Sequence, residues 1–180
     1  MPTNMFDYTF SSLERLSYTG KMYRLGTERL VLAAAGDYGA ICFTTPASLL
    51  PIYRYAVIAK SGSELNVTLV EDCTYSGGIA VTPWNLNRYY RDDPSPLLDT
   101  RSGMSIGISA LSITGGLSAP SKMIPGDAGG NLMPGDSSEI YGYLLLLPDT
   151  KYAMKCTAVG GEVHMSAILD IACIRREARE

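Results

Sequence analysis

Apolar and polar residues alternate with a period of two along much of the chain, the spacing that sends successive side chains to opposite faces of a strand. The clearest run is Glu64 to Glu71, with Leu65, Val67 and Leu69 on one face and Asn66, Thr68 and Val70 on the other. Just before it, Ile52 to Lys60 is rich in Tyr, Val and Ile and puts Tyr53, Tyr55, Val57 and Ala59 on one side. Ser61-Gly62-Ser63 is a tight connection, so the pattern predicts a hairpin over Ile52–Glu71. The last third has the same form. Strands are expected over Glu139–Leu147, Lys151–Val159 and Glu162–Arg175, parted by Pro148-Asp149-Thr150 and Gly160-Gly161, and the Gly-Gly pair signals a second hairpin.

Other stretches fill in the pattern. Glu28–Ala34 and Ala40–Thr44 read as short strands around a turn at Gly36-Asp37-Tyr38-Gly39, and Pro46 and Pro51 bracket a loop. Asp72–Asp99 is irregular, bent at Ser76-Gly77-Gly78 and polar over Arg88–Pro96. Met104–Ile113 returns to strand, with Met104, Ile106, Ile108 and Ala110 on one face. Gly115–Asp136 is rich in Gly, Pro and Ser and too long for an ordinary loop. It is expected either to project as a functional loop or to hold a short strand near Lys122-Met123-Ile124. Short strands punctuated by turns predict a mostly-β sandwich or barrel.

Ahead of this pattern, Met1 to Gly26 reads as an N-terminal arm, with residues 27–180 forming the β domain. The arm sets Phe6, Tyr8, Phe10, Tyr18 and Tyr23 among polar residues, and Ser11-Ser12-Leu13-Glu14 allows one capped helical turn. Aromatics on a polar arm are anchors for a surface. Either the arm folds back on its own domain, or these five residues form an interface on a neighbouring subunit.

Composition narrows the function. The chain has 180 residues, 46% hydrophobic, enough for a packed core. The charged fraction, 18%, is low and leaves neutral and apolar surface suited to protein contacts. Net charge is −3 and the fifteen basic residues are scattered, with Arg175-Arg176 the tightest pair, so no nucleic-acid partner is expected. The apolar run Leu144–Leu147 ends at Pro148, and no apolar run in the chain approaches a membrane span. The N-terminus has no apolar signal core, so synthesis in the cytoplasm without export is expected. Cys42, Cys73, Cys156 and Cys173 each lie in or beside apolar stretches and read as buried free thiols of a reducing compartment.

Candidate chemistry is sparse. His164 is the single histidine, flanked by Val163 and Met165 in a strand, and one His with isolated Cys residues does not assemble a usual zinc site. Asp92-Asp93 is an adjacent carboxylate pair in a Pro-flanked loop, where a solvated turn is the plain reading. Asp127, Asn131 and Asp136 lack calcium-loop spacing, and no Gly-rich stretch has a phosphate-binding signature. Trp84 with Tyr89 and Tyr90 either forms a sugar-stacking patch or, for Trp84, anchors the core or covers a strand edge. These patterns predict a non-enzymatic protein with no cofactor and no metal.

Two motifs carry a resemblance. Val70-Glu71-Asp72-Cys73-Thr74-Tyr75-Ser76-Gly77-Gly78, continuing through Thr82-Pro83-Trp84-Asn85-Leu86-Asn87-Arg88, resembles a segment of tailed-bacteriophage virion structural proteins. Leu145-Leu146-Leu147-Pro148-Asp149-Thr150-Lys151-Tyr152, followed by a strand, Gly160-Gly161 and a final strand, resembles their C-terminal part, in the same order. The likeness runs from about Ile52 to Arg176. Asp149 stands where Asn is usual, the tail ends in Arg175 to Glu180 rather than in aromatic and acidic residues, and the arm before Glu28 has no counterpart. The resemblance implies a jelly-roll-like antiparallel β-sandwich on the capsid exterior of a virion. It further implies a head-decoration (cement) protein, a homotrimer that binds the major capsid protein. A tail, collar or fibre component is the alternative it implies.

Overall fold

The computed structural model describes residues 19, 21–47, 49–60, 63–90, 94–107, 110–124 and 143–175. In chain order the strands are β1 (Met22–Gly26), β2 (Leu30–Leu32), β3 (Tyr38–Thr44), β4 (Leu49–Lys60), β5 (Leu65–Glu71), β6 (Thr74–Gly77), β7 (Ile79–Ala80) and β8 (Trp84–Asn85). They continue as β9 (Leu98–Met104), β10 (Leu111–Thr114), β11 (Leu117–Ser118), β12 (Lys122–Ile124), β13 (Tyr143–Leu145), β14 (Lys151–Ala158) and β15 (Val163–Arg175). One 3-10 turn, Arg88–Tyr90, is the only helical element among the described residues.

The strands form two large sheets and a ribbon, and every pairing between named strands is antiparallel. Sheet A runs β13-β4-β15-β1-β8, with β2 also on β15. Sheet B runs β11-β5-β14-β3-β9-β7, with β12 also on β5. One sheet curls into a half-barrel. The two share one core. Leu25, Met165, Ala167, Leu169 and Ile171 come from sheet A, and Ile41, Phe43, Leu65, Val67, Tyr152 and Met154 from sheet B. The alternation read from the sequence is what directs these residues to the shared layer.

Neither expected hairpin forms. β4 pairs with β15 and β13 in sheet A, whereas β5 pairs with β14, β11 and β12 in sheet B. β14 lies between β3 and β5 in sheet B, whereas β15 lies in sheet A. At both places the chain crosses between sheets. An alternating strand with one apolar face is equally suited to a neighbour in its own sheet and to the facing sheet, so the Gly-rich connection alone does not choose.

A second core lies on the far side of sheet B. The ribbon β6–β10 sets Cys73, Tyr75 and Leu111 against Ala40, Cys42, Val70 and Ala153. Val70, expected to face outward from the main core, does so but is buried under this ribbon. The small Ala40, Cys42 and Ala153 let the ribbon approach closely. Lys155 closes the margin with its ammonium 4.3 Å from the centre of the Tyr38 ring.

Other expectations shift for local reasons. The turn falls at Ala34–Asp37, closed by the Ala34 N–H donating to Asp37 Oδ2 at 2.9 Å, so β3 begins at Tyr38. Met104–Ile113 is not one strand. β9 ends at Met104, the chain bends through Gly107 at φ 103°, and β10 begins at Leu111. A short strand does form at Lys122–Ile124. Of the strand expected from Glu139, Tyr143–Leu145 is present and residues 139–142 lie outside the described residues. β4 starts at Leu49 and runs through Pro51, so the loop expected between Pro46 and Pro51 is shorter.

Two polar hubs tie the sheets' ends. Tyr152, fully buried, stacks on Phe43 with ring centres 5.6 Å apart. Its hydroxyl accepts the Leu147 N–H at 2.8 Å and donates to Glu71 Oε2 at 2.9 Å. Thr45, also fully buried, donates its hydroxyl to the Leu147 carbonyl at 2.7 Å and accepts the Thr150 N–H at 2.9 Å. Between them these bonds hold the Pro148–Thr150 turn, where Asp149 takes φ 50°. Tyr152→Phe keeps the stacked ring and removes the hydroxyl, so it is expected to destabilise the fold by about 1 kcal/mol. A urea midpoint unchanged from the parent would contradict this role.

Candidate interaction surface

Sheet A presents its outward face through β8, β1 and β15. By register, Trp84, Arg24, Asp170, Arg54 and Tyr143 occupy one row across five strands. At its centre Arg24 grips Asp170 in a forked pair, Nε to Oδ1 at 2.7 Å and Nη2 to Oδ2 at 2.9 Å. Asp170 is buried while the Arg24 side chain is 44% exposed. The hydrogen bond to Asp170 raises the Arg24 pKa further, against burial.

Beside this pair the surface turns aromatic. Trp84 is 65% exposed and Tyr89 98% exposed, with Tyr90 also on the surface. Trp84 neither anchors the core nor folds over the edge. It stands on the outward side of edge strand β8, directly across from Arg24, while its neighbour Asn85 is buried. Side-chain turns fix the backbone here: Asn85 Oδ1 accepts the Asn87 N–H at 2.9 Å and Asn87 Oδ1 accepts the Tyr89 N–H at 3.0 Å. Rigid backbone beneath exposed rings lowers the ordering cost of docking. On other edges Leu117, Met123, Leu145 and Leu147 are also exposed, with buried Ile124 beside Met123 and buried Leu146 between Leu145 and Leu147.

Of the five expected interface residues, Tyr23 is the one within the described residues. It is buried in the main core on β1, paired with Ile171 of β15. Its aromatic ring is therefore not a surface anchor, and Met22–Gly26 follows the folding-back alternative: it is an interior strand of sheet A, between β15 and β8. The arm boundary drawn at Gly26 thus cuts through the sheet. Tyr23 alternates with Leu25 in the strand period, a signal too short to stand out from the preceding polar stretch. Phe6, Tyr8, Phe10 and Tyr18 lie outside the described residues, as do Asp92-Asp93, Asp127, Asn131 and Asp136.

The remaining reactive types are engaged or sealed. His164 sits between Arg29, whose guanidinium meets Nδ1, and Glu162, whose Oε1 is 2.6 Å from Nε2. Among the described residues no three His, Cys, Asp or Glu side chains are grouped to hold a metal ion. No helix among them is long and apolar enough to cross a membrane. All four cysteines are free and buried. Burial pushes the Cys156 and Cys173 thiols from 9.0 up to about 12, and raises Cys42 and Cys73 in the same direction. Burial likewise lifts the Tyr75 and Tyr152 hydroxyls from 10.0 to about 12.

Two outcomes follow from this chemistry. Arg24→Met leaves a buried carboxylate without its forked partner, whereas Asp170→Asn leaves an arginine that reaches water. Arg24→Met is therefore expected to be the costlier change, by about 1–2 kcal/mol, in urea unfolding. Equal losses, or a larger one for Asp170→Asn, would contradict the assigned burial asymmetry. The thiols and phenols work through pH. Their acid forms are favoured in the folded chain, so their contribution is complete below about pH 9 and is lost as pH rises toward about 12. Stability measured across that window should fall steadily, and the native protein should resist iodoacetamide at pH 8 until denaturant is added.

Comparisons with protein-family models, curated proteins and solved structures find no match to this chain.

Proposed function

We propose that this chain is a structural protein of a tailed-phage virion, a head-decoration protein that stabilises the capsid by bridging major capsid protein subunits. The observation that carries the reading is the distribution of exposed apolar side chains. Trp84, Tyr89, Leu117, Met123, Leu145 and Leu147 stand on edges and turns of the two sheets, the places where a neighbouring polypeptide meets a sandwich. A protein that seals seams works by burying area, about 1,600 Å² for a typical specific contact, and repeated copies multiply the effect. The finer fold, a jelly-roll-like sandwich, is supported by two runs of strands that switch between facing sheets: β3 in B, β4 in A and β5 in B, and later β13 in A, β14 in B and β15 in A. The two sequence motifs support the virion assignment, and a trimer at local three-fold positions suits the shell geometry it implies.

A tail, collar or fibre role is favoured by a different observation, the exposed Trp84–Tyr89–Tyr90 surface, which suits a host-surface glycan as well as a protein. Location in an intact particle separates the two. Density at repeated capsid positions and a silent glycan array are expected for decoration; density confined to the tail would overturn it. In rebinding to bare heads, deleting residues 1–18 leaves every described strand in place and should lower occupancy, whereas a cut to Gly26 removes β1 and should unfold the chain. Full occupancy without residues 1–18 would remove the arm from the attachment mechanism.

A further inference from the structure

A cleft of about 780 Å³ opens where both sheets run out of strands on the same side of the molecule. Gly26, Glu28, Arg29 and Leu30, from the end of β1 to the start of β2, form one wall, and Ile79 to Thr82 at the free edge of sheet B form the other. The chain from β7 to β8 crosses between the sheets at this place.

Among the described residues, each wall offers a bare stretch of main chain. In β7, the Val81 N–H donates to the Thr100 carbonyl at 3.0 Å, toward β9. Main-chain groups of successive residues in an antiparallel strand point to opposite sides, so those of Ala80 point away from β9, on the cleft side. In β1, the Lys21 carbonyl accepts the Cys173 N–H and the Thr27 N–H reaches Ala167, both toward β15, while the Met22 carbonyl accepts the Leu86 N–H on the β8 side. By the same alternation Gly26 turns its main-chain groups away from β15. β8 covers only Tyr23 and Arg24, so it stops short of Gly26. Between these edges the floor is apolar. Leu30, Val81 and Met104 line the cleft and also pack, half-buried, on the main core. An incomplete apolar layer flanked by two unpaired strand edges is the shape that an added strand completes, its main chain bonding to an edge and its alternate side chains reaching the floor.

We propose that this cleft receives residues Phe6–Phe10 from a second copy of the chain. The occupant must be extended and must carry bulky apolar residues two apart. Phe6, Tyr8 and Phe10 alternate with Asp7 and Thr9 in that period. The other long segment outside the described residues, 125–142, is broken by Gly and Pro, and 176–180 is charged, so neither supplies such a strand. Five extended residues span about 17 Å, and the eleven-residue step from Phe10 to Lys21 reaches about 36 Å, enough to cross to a neighbour. Within one copy the arm enters beside Lys21, where β8 already pairs with β1, at the opposite end of β1 from Gly26. The exchange does not depend on the virion reading: a chain that fails to exchange arms in solution still leaves capsid binding to be tested by particle density.

The test uses full-length protein. Ala80→Cys in one preparation is mixed with Thr9→Cys, or in parallel Asp7→Cys, in another; two arm positions cover both registers, and the native thiols are buried. An interchain disulfide on a non-reducing gel is expected. Light scattering should show association of the parent chain that weakens at least about tenfold with Ala80→Pro, which removes the cleft-facing N–H, and with Phe6→Ser/Tyr8→Ser/Phe10→Ser. Circular dichroism should show both variants folded. A chain that stays monomeric, forms no cross-link at either arm position, or associates equally well in both variants overturns the proposal.

Discussion

The apolar layer between the two sheets is the constraint on which every other feature rests. Neither sheet buries a complete face by itself, and each supplies the other's second wall. That layer explains the topology. A strand that has spent its inward residues on the shared core gains more by sending its successor to the opposite wall than by extending its own sheet. β3, β4 and β5 follow this rule in turn, and so do β14 and β15. The central strands then have chain-distant neighbours, with β15 lying against β4 along its whole length on one side and against β1 and β2 on the other.

The ribbon β6–β10 adds a second requirement. It turns β3 from a strand with one wet face into one buried over five consecutive residues, Gly39–Phe43. Its placement depends on glycine at one corner: Gly77 holds φ 77°, and a β-carbon there would collide with the Ala110 carbonyl on the partner strand. Asp72, at φ 54°, provides the entry to the ribbon from β5, a conformation that Asp tolerates better than most residues. The Val70–Gly78 segment is thus a built corner, which accounts in physical terms for its dense run of turn-forming residues.

Much of this was legible from alternation. The strand positions of β5, β14 and β15, the Pro148–Thr150 turn and the apolar environment of the four cysteines all follow from period and local turn chemistry. Strand partners were not legible, because Leu65-x-Val67-x-Leu69 presents the same face to a neighbour beside it or to a wall across from it. The ribbon escaped for a related reason: Thr74–Gly77 and Leu111–Thr114 are too short to show a period, and their burial comes from each other and from sheet B. For the interaction surface, the sequence singles out Trp84, Tyr89 and Tyr90, but the exposure of Trp84 depends on which side of β8 faces water. Tyr23 fails in the opposite sense, since its strand is brief and its partner is 148 residues away, at Ile171.

The strand alternation also has a consequence for biosynthesis. As the chain leaves the ribosome, β1, β2 and β4 emerge long before β15, the strand that all three pair with. Among the described residues no local hairpin pairs them, so their open edges wait through the synthesis of everything between. Sheet A therefore cannot close until β15 has been made, because that one strand joins β4 on one side to β1 and β2 on the other.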